Sequence, residues 1–428
     1  MKSIRDLRAG RYDAALIRLY GKEALVAAQK RLEGLLEQYR EAFGEGDDPV
    51  ILSAPGRTEL GGNHTDHNGG RVLAASVDAD ILAVAGPAPD ACVRIRSAAQ
   101  PEIALRLDDL TPHPLERRTS ASLVRGVAEY LSRQSARVGG FCAVTDSRVP
   151  VGSGLSSSAA FEILVGAVFN HLYNRGMLSF ETLALAGGHA ENVHFDKPSG
   201  LMDQIACAAG GAVAVDFADA ARPDIRRIPF DWEHTDYRLC MVDVGGDHAA
   251  LTDAYASIPQ EMRAVAAKLG GIRLADVSRE DLLARLAQLR DTCGDRAVLR
   301  ALHFFAENDR VDRETAALER GDMPAFLREM TLSGHSSFEY LQNIYLPGQA
   351  ESQPMAVALC LAQNLLEGTG GWRVHGGGFG GCVQTVAPTS RLDELVRVME
   401  AAFGKGCCRV LGIRPQGSVR LTADKAAG

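Results

Sequence analysis

The sequence predicts an α+β fold in two domains, with mixed β-sheets and packed helices. Three observations carry this. Short, strand-like apolar segments recur between residues 50 and 245, and residues 250–345 are rich in Ala, Leu, Arg and Glu at helical spacing. Glycine-rich loops separate several of the strand-like segments, and strands and helices are segregated along the chain.

Taken in order, residues 12–43 place apolar side chains at helical spacing with charges between them, so an N-terminal helical segment is expected over 1–45. GEGDDP, 44–49, breaks that pattern. VILSAPGR, 50–57, starts as a strand and ends in a turn. Residues 72–86 read as buried strand, PAPDA at 87–91 as a turn and ACVRIRSA as renewed alternation, which together predict a hairpin. FCAVTDSRVP, 141–150, is a strand leading into a Gly/Ser loop, and FEILVGAVFNHLYNRG is a helix ending at Gly176. GGAVAVDF (210–217) and YRLCMVDVG (237–245) are strands, and WRVHGGGFGGCVQTVAP (372–388) is strand, glycine loop, strand. A first domain over 46–240 and a second over 241–428 are expected.

Composition narrows the function classes. The chain is 46% hydrophobic and 23% charged, an ordinary globular balance. A formal charge of −8 argues against nucleic acid, which demands a concentrated basic face. It leaves room for an anionic nucleotide in a locally positive pocket. No stretch approaches the roughly 18 apolar residues of a membrane span, and no basic-then-apolar leader pattern opens the chain. The nine cysteines are scattered, with no C-x-x-C pair, which fits reduced thiols and a cytoplasmic location.

Four segments concentrate chemistry. Residues 54–70, APGRTELGGNHTDHNGG, crowd glycines, Arg57, Asn63, His64, Asp66 and His67 into a stretch unable to bury a core face. Polar loops on a rigid scaffold bind ligands, and Asn63, His64 and Asp66 offer the donors and acceptors that sugar hydroxyls require. A metal reading of His64, Asp66 and His67 lacks an H-E-x-x-H framework. Residues 150–160, PVGSGLSSSAA, run straight into a helix. Glycines admit close backbone approach and a helix start offers unpaired N–H groups, so the pair forms an anion site suited to phosphates. Helix capping accounts for one serine there, not three. This is not a Walker A loop, because no Gly-Lys-Ser/Thr follows. In HGGGFGGC, 375–382, the glycines match G-x-G-x-x-G, but a strand follows where a nicotinamide fingerprint needs a helix. Those glycines instead let the backbone pass close to another loop or a ligand. Finally, Asp203 lies in the apolar run GLMDQIACAAGG, where a lone charge is costly; it needs a cation, and Arg57 is the favoured partner.

On these four motifs, in this order, the chain resembles the GHMP small-molecule kinases and, within them, the galactokinases, over about residues 50–390. GLSSSAA and GGGFGGC carry the superfamily likeness; APGR with HTD, and AE with GLMDQ, carry the galactokinase likeness. The resemblance implies a two-domain GHMP kinase fold with its active site in the cleft between domains. It also implies a sugar 1-kinase using ATP and Mg²⁺. It places Asp203 beside the anomeric hydroxyl and Arg57 against both Asp203 and the transferring phosphoryl group. It places Gly152, Ser153, Gly154, Leu155, Ser156, Ser157 and Ser158 around the β- and γ-phosphates. Ser158 and Glu191 match Mg²⁺ ligands; His64, Asp66, Gly200 and Tyr255 match sugar contacts. Gly377 and Gly378 belong to the loop closing the nucleotide site from the second domain. Sugar and ATP are the expected partners, with no nucleic acid and no membrane, in a monomer or weak homodimer.

The match departs at the sugar. Galactokinases usually carry glutamate before His-Thr-Asp, facing the 6-hydroxyl; here Asn63 stands there, and His67 follows Asp66 in place of tyrosine. Removing a carboxylate near C6 would remove repulsion toward a uronic acid. Galactose is therefore the first expectation, with galacturonate or another hexose as the alternative. A non-catalytic sugar sensor would be marked by loss of Arg57, Ser158, Glu191 or Asp203, and all four are present.

Overall fold

In the computed structural model, residues 1–44, 49–98, 100–150, 152, 154–197, 199–219, 222–245, 252–346 and 348–424 are described. The first sheet contains β1 (Val50–Gly61), β2 (Arg71–Pro87), β3 (Cys92–Ser97), β4 (Gln100–Arg106), β5 (Phe141–Ser147), β6 (Ala212–Asp216) and β7 (Asp224–Ile228). The second is built on β8 (Tyr237–Asp243), β9 (Gly371–Val374), β10 (Cys382–Pro388) and β11 (Cys408–Leu411). The last strand, β12 (Val419–Leu421), returns to pair antiparallel with β1. The first sheet runs β12-β1-β2-β5-β3-β4, and the 17-residue β2 also carries β6, which pairs with β7. The second runs β11-β8-β10-β9. Both sheets are antiparallel except for the β3–β5 pair.

Strand alternation explains why the first sheet is covered on both faces. Leu52 and Ala54 of β1, with Ala83 and Ala85 of β2, face the main core beneath the helices Ser120–Arg133, Ser157–Tyr173 and Met202–Ala209. Their neighbours Ile51, Leu82 and Val84 face the other way, onto Leu32, Leu35 and Leu36 of the helix Leu25–Phe43. The N-terminal helices are thus the second lid of the sheet. Arg31 fastens them, pairing with Asp80 at 2.6 Å. The second sheet packs on the helices Pro354–Leu366 and Thr389–Phe403 through Met355, Leu395 and Met399.

Two local expectations are corrected. β1 does not turn at Pro55; it continues to Gly61, with pairing shifts at Pro55/Arg57 and Glu59/Gly61. Proline cannot donate to the ladder, so the strand bulges there and goes on. Nor do β2 and β3 form a hairpin: β5 occupies the relevant edge of β2, while β3 pairs with β4 and β5. The 372–388 segment is strand, loop, strand as expected, with Val383 opposite Val374. Among the described residues no helix is long and apolar enough to cross a membrane, and all nine cysteines are free thiols.

Candidate active site

The Gly/Ser segment makes a tight turn whose backbone enters left-handed space at Gly152 (φ +77°), Gly154 (φ +75°) and Ser156 (φ +59°) before the helix Ser157–Tyr173 begins. Ser153 lies outside the described residues. Among the described residues no serine side chain caps the helix. Ser156 Oγ donates to Asp203 Oδ2, and Ser158 Oγ to Glu191 Oε1 at 3.1 Å. The first-turn N–H groups are therefore free of side-chain caps, as an anion site requires. Leu155 is fully buried, and its carbonyl accepts from Arg57 N at 3.1 Å. A methyl group on Gly56 would come within 2.8 Å of that carbonyl, so glycine lets β1 and the turn touch.

Arg57 reaches Asp203 with both arms of its fork: Nε to Oδ1 at 2.6 Å and Nη2 to Oδ2 at 2.7 Å. Its Nη1 donates to the Gly154 carbonyl. Burial pushes the Asp203 carboxyl up, but the Arg57 charge, its hydrogen bonds and the Ser156 hydroxyl hold it below the usual carboxylate range. Asp203 is therefore an anion at neutral pH, at the mouth of the turn.

Glu191 sits on a π-helical turn, Ala190–His194, and is 2% exposed. It accepts from Lys197 Nζ at 2.7 Å, Ser199 Oγ at 2.7 Å and Gln204 Nε2 at 3.0 Å, besides Ser158. Gln204 Nε2 also reaches Glu162 at 2.9 Å. Burial, with Glu191 nearby, pushes the Glu162 carboxyl well up.

The 54–70 loop is held from behind by the helix Asp295–Glu319. Glu307 Oε1 accepts from Gly62 N at 3.2 Å and Asn63 N at 3.3 Å, and His303 Nε2 donates to Asn63 O at 2.9 Å. His64 Nε2 donates to Gly377 O at 3.0 Å, while its Nδ1 lies 3.1 Å from His67 Nε2. Asp66 faces Gly200: a methyl group there would lie 2.1 Å from Asp66 Oδ2. Tyr255 donates to Gly378 O at 3.1 Å, and its ring covers Gly377.

Arg57, Asp203, Ser156, Ser158 and Glu191 are brought together, as are Asp66 with Gly200 and His64 with Gly377. Asn63 lies in the interior. It is fully buried, donating to Glu59 Oε1 at 3.1 Å and Gly376 O at 2.7 Å and accepting from Asn343 Nδ2 at 2.9 Å. Both ends of its amide are engaged in the interior. Gly377 and Gly378, expected at the nucleotide, contact His64, Asn343 and Tyr255. Sequence reasoning missed Lys197, Glu307, Asn343 and the fully buried Glu59–Arg373 pair. A charged residue inside the β1 run, at Glu59, was the available signal for the last.

A glycine/serine anion turn beside a bidentate Arg–Asp pair and a serine–glutamate oxygen pair, on this two-sheet fold, defines a GHMP-type small-molecule kinase. Residues 37–87 match the galactokinase galactose-binding signature and residues 122–211 the GHMP kinases N terminal domain. Galactokinase of Streptomyces coelicolor is 33% identical over 86% of this chain and 92% of that protein. Galactokinase of Actinobacillus pleuropneumoniae is 31% identical over 82% and 88%. The fold matches the crystal structure of Lactococcus lactis galactokinase complexed with galactose with a TM-score of 0.77 at 24% identity, covering 91% of this chain and 100% of that one. The chain belongs to the galactokinase family.

Proposed function

We propose that this chain is a galactose 1-kinase that moves the γ-phosphoryl group of ATP onto the anomeric hydroxyl of galactose. The observation that carries the reading is the Arg57–Asp203 pair, standing where the Gly/Ser turn opens. Phosphoryl transfer asks the protein mainly for alignment and charge neutralisation. The turn, with its uncapped helix N-terminus, seats the β- and γ-phosphates. Arg57 holds Asp203 ionised and faces the transferring group. A carboxylate with a depressed pKa is a poor general base, so Asp203 orients and polarises the hydroxyl, whose proton leaves late in a loose transition state. Asp66, set against Gly200, and His64 hold the sugar.

Ser158 Oγ and Glu191 Oε1, 3.1 Å apart beside the turn, are hard oxygen donors of the kind Mg²⁺ takes with nucleotide phosphates. Bound there, Mg²⁺ would neutralise charge on the β- and γ-phosphates. Lys197 supplies the positive charge on Glu191 meanwhile.

Burial of Asn63 against Glu59 weakens the case for an open, non-acidic position at C6 and so favours galactose; His67 after Asp66 is the feature left on the galacturonate side. The test is ADP release with Mg-ATP against galactose, galacturonate, glucose, N-acetylgalactosamine and mevalonate. Galactose should give the highest kcat/KM, and a preference for any other acceptor overturns the assignment. Galactose binding without ADP release would establish a sugar sensor instead.

A further inference from the structure

His375 opens the C-terminal glycine loop and has no part in the transfer described above. It is 3% exposed. Its Nε2 accepts from the Glu59 backbone N–H at 3.2 Å and lies 3.1 Å from Thr58 Oγ1. Gln384 Nε2 donates to that hydroxyl at 2.5 Å, which directs the hydroxyl proton to His375 Nε2. A ring nitrogen that accepts is unprotonated, so the imidazole carries its proton on Nδ1. Burial, with the charges of Arg57 and Arg373 nearby, pushes the pKa well below the usual histidine value, so no second proton arrives at neutral pH. His375 is one fixed donor, and that donor has no hydrogen-bond partner among the described residues.

Its direction is defined. A methyl group on Gly154 would come within 2.7 Å of His375 Nδ1, so the imidazole edge lies against the bare α-carbon of the Gly/Ser turn. The Gly154 carbonyl already accepts from Arg57 Nη1. Buried N–H groups are rarely left unmet, because each such group costs about as much as a lost hydrogen bond. A purely structural histidine, pinning the glycine loop to β1, needs its Nε2 contacts alone; it gives no reason for an unmet Nδ1–H against the phosphate turn.

We propose that His375 is a binding and positioning residue for phosphoryl transfer, offering its Nδ1–H beside Gly154 to a phosphate oxygen of the nucleotide. The inference rests on the reading that ATP occupies the Gly/Ser turn. It would make the C-terminal loop a sensor of the phosphate chain: the strand holding His64, through Gly377, and Tyr255, through Gly378, would be tied to the nucleotide by the same segment.

The experiment compares H375Q, H375N and H375A by calorimetry with MgATP and with galactose, and by thermal midpoint. Glutamine places an amide near Nε2 and nothing at Nδ1; asparagine does the reverse. H375Q and H375A should lose MgATP affinity by about tenfold or more while galactose affinity stays within about twofold. H375N should keep MgATP affinity within about threefold despite a lower midpoint, since it restores the donor and not the pin. Equal losses in H375N and H375A, or no loss in either, overturn the proposal, and that comparison stands alone should H375Q fail to fold. Wild-type protein that binds no MgATP overturns the nucleotide reading together with this one. Wild-type binding with indistinguishable variants overturns this one only.

Discussion

Arg57 and Asp203, 146 residues apart, meet through two parallel hydrogen bonds of 2.6 and 2.7 Å. The fork matches the carboxylate, so the pair fixes both groups in one orientation and keeps the carboxylate charged. Asp203→Asn keeps the shape and removes the charge. Turnover should fall by about 10³-fold, within the range of a lost polarising group, with galactose affinity nearly unchanged. Arg57 is left without its counter-charge, so stability should fall by roughly 2 kcal/mol, discounted because Asp203 is 24% exposed. Steady-state kinetics, a binding isotherm and urea denaturation read the three effects. Unaltered turnover would remove Asp203 from the reaction.

Gly200 is fixed by what faces it. An alanine methyl would sit 2.1 Å from Asp66 Oδ2, so the carboxylate must swing away from its present place. Gly200→Ala should raise KM for galactose by about tenfold or more, since displacements near 1 Å cost on the order of 10²-fold. KM for ATP, set by the turn on the far side of Arg57, should stay put. An unchanged galactose KM would take Asp66 out of the sugar site.

The Arg57–Asp203 pair was legible in the sequence because a lone aspartate in an apolar run requires a cation, and Arg57 stands in the polar, glycine-rich 54–70 motif. The Gly/Ser turn was legible because its chemistry is local. The buried network behind the 54–70 loop was not. Glu59 meets Arg373 across 314 residues, and Glu307 and His303 look, in sequence, like the polar face of an ordinary amphipathic helix. Periodicity identifies the apolar face; it says nothing about which charged residues a later segment will cover. The same limit made β2–β3 read as a hairpin and hid the burial of Asn63, since both depend on what packs against them. The N-terminal helices read correctly as helices, but their place over Ile51, Leu82 and Val84 depends on the second face of a sheet not visible locally.

Asn63 donates to Glu59 and accepts from Asn343 in a site with no exposure. Asn63→Ala should leave those groups unmet and lower stability by about 2 kcal/mol. Asn63→Glu would place a second carboxylate beside Glu59 Oε1 and should cost about 3–5 kcal/mol or prevent folding. In Asn63→Ala the ratio of kcat/KM for galactose to that for galacturonate should stay within about threefold, because the side chain is wholly buried. A larger shift in that ratio would return Asn63 to the binding surface.

His64 and His67 form a directional chain with a pH signature. Gly377 O can only accept, so His64 Nε2 carries the proton and its Nδ1 accepts from His67 Nε2–H at 3.1 Å; His67 Nδ1 in turn accepts from Asn68 Nδ2 at 3.0 Å. Both rings are neutral. Burial, then the neighbouring His67 for His64 and Arg263 for His67, pushes each pKa from 6.5 to about 3. The folded pKa lies below the unfolded one, so between those values the unfolded chain binds more protons and stability rises with pH, levelling off above about 6.5. Going from pH 6.5 to 5 should cost roughly 1–2 kcal/mol per histidine. His67→Asn removes one titrating group: it should be less stable than wild type at pH 8 but lose less on acidification. Urea midpoints at pH 8, 6.5 and 5 measure this directly. Wild-type and variant curves that stay parallel from pH 6.5 to 5 would show that the acid sensitivity arises elsewhere.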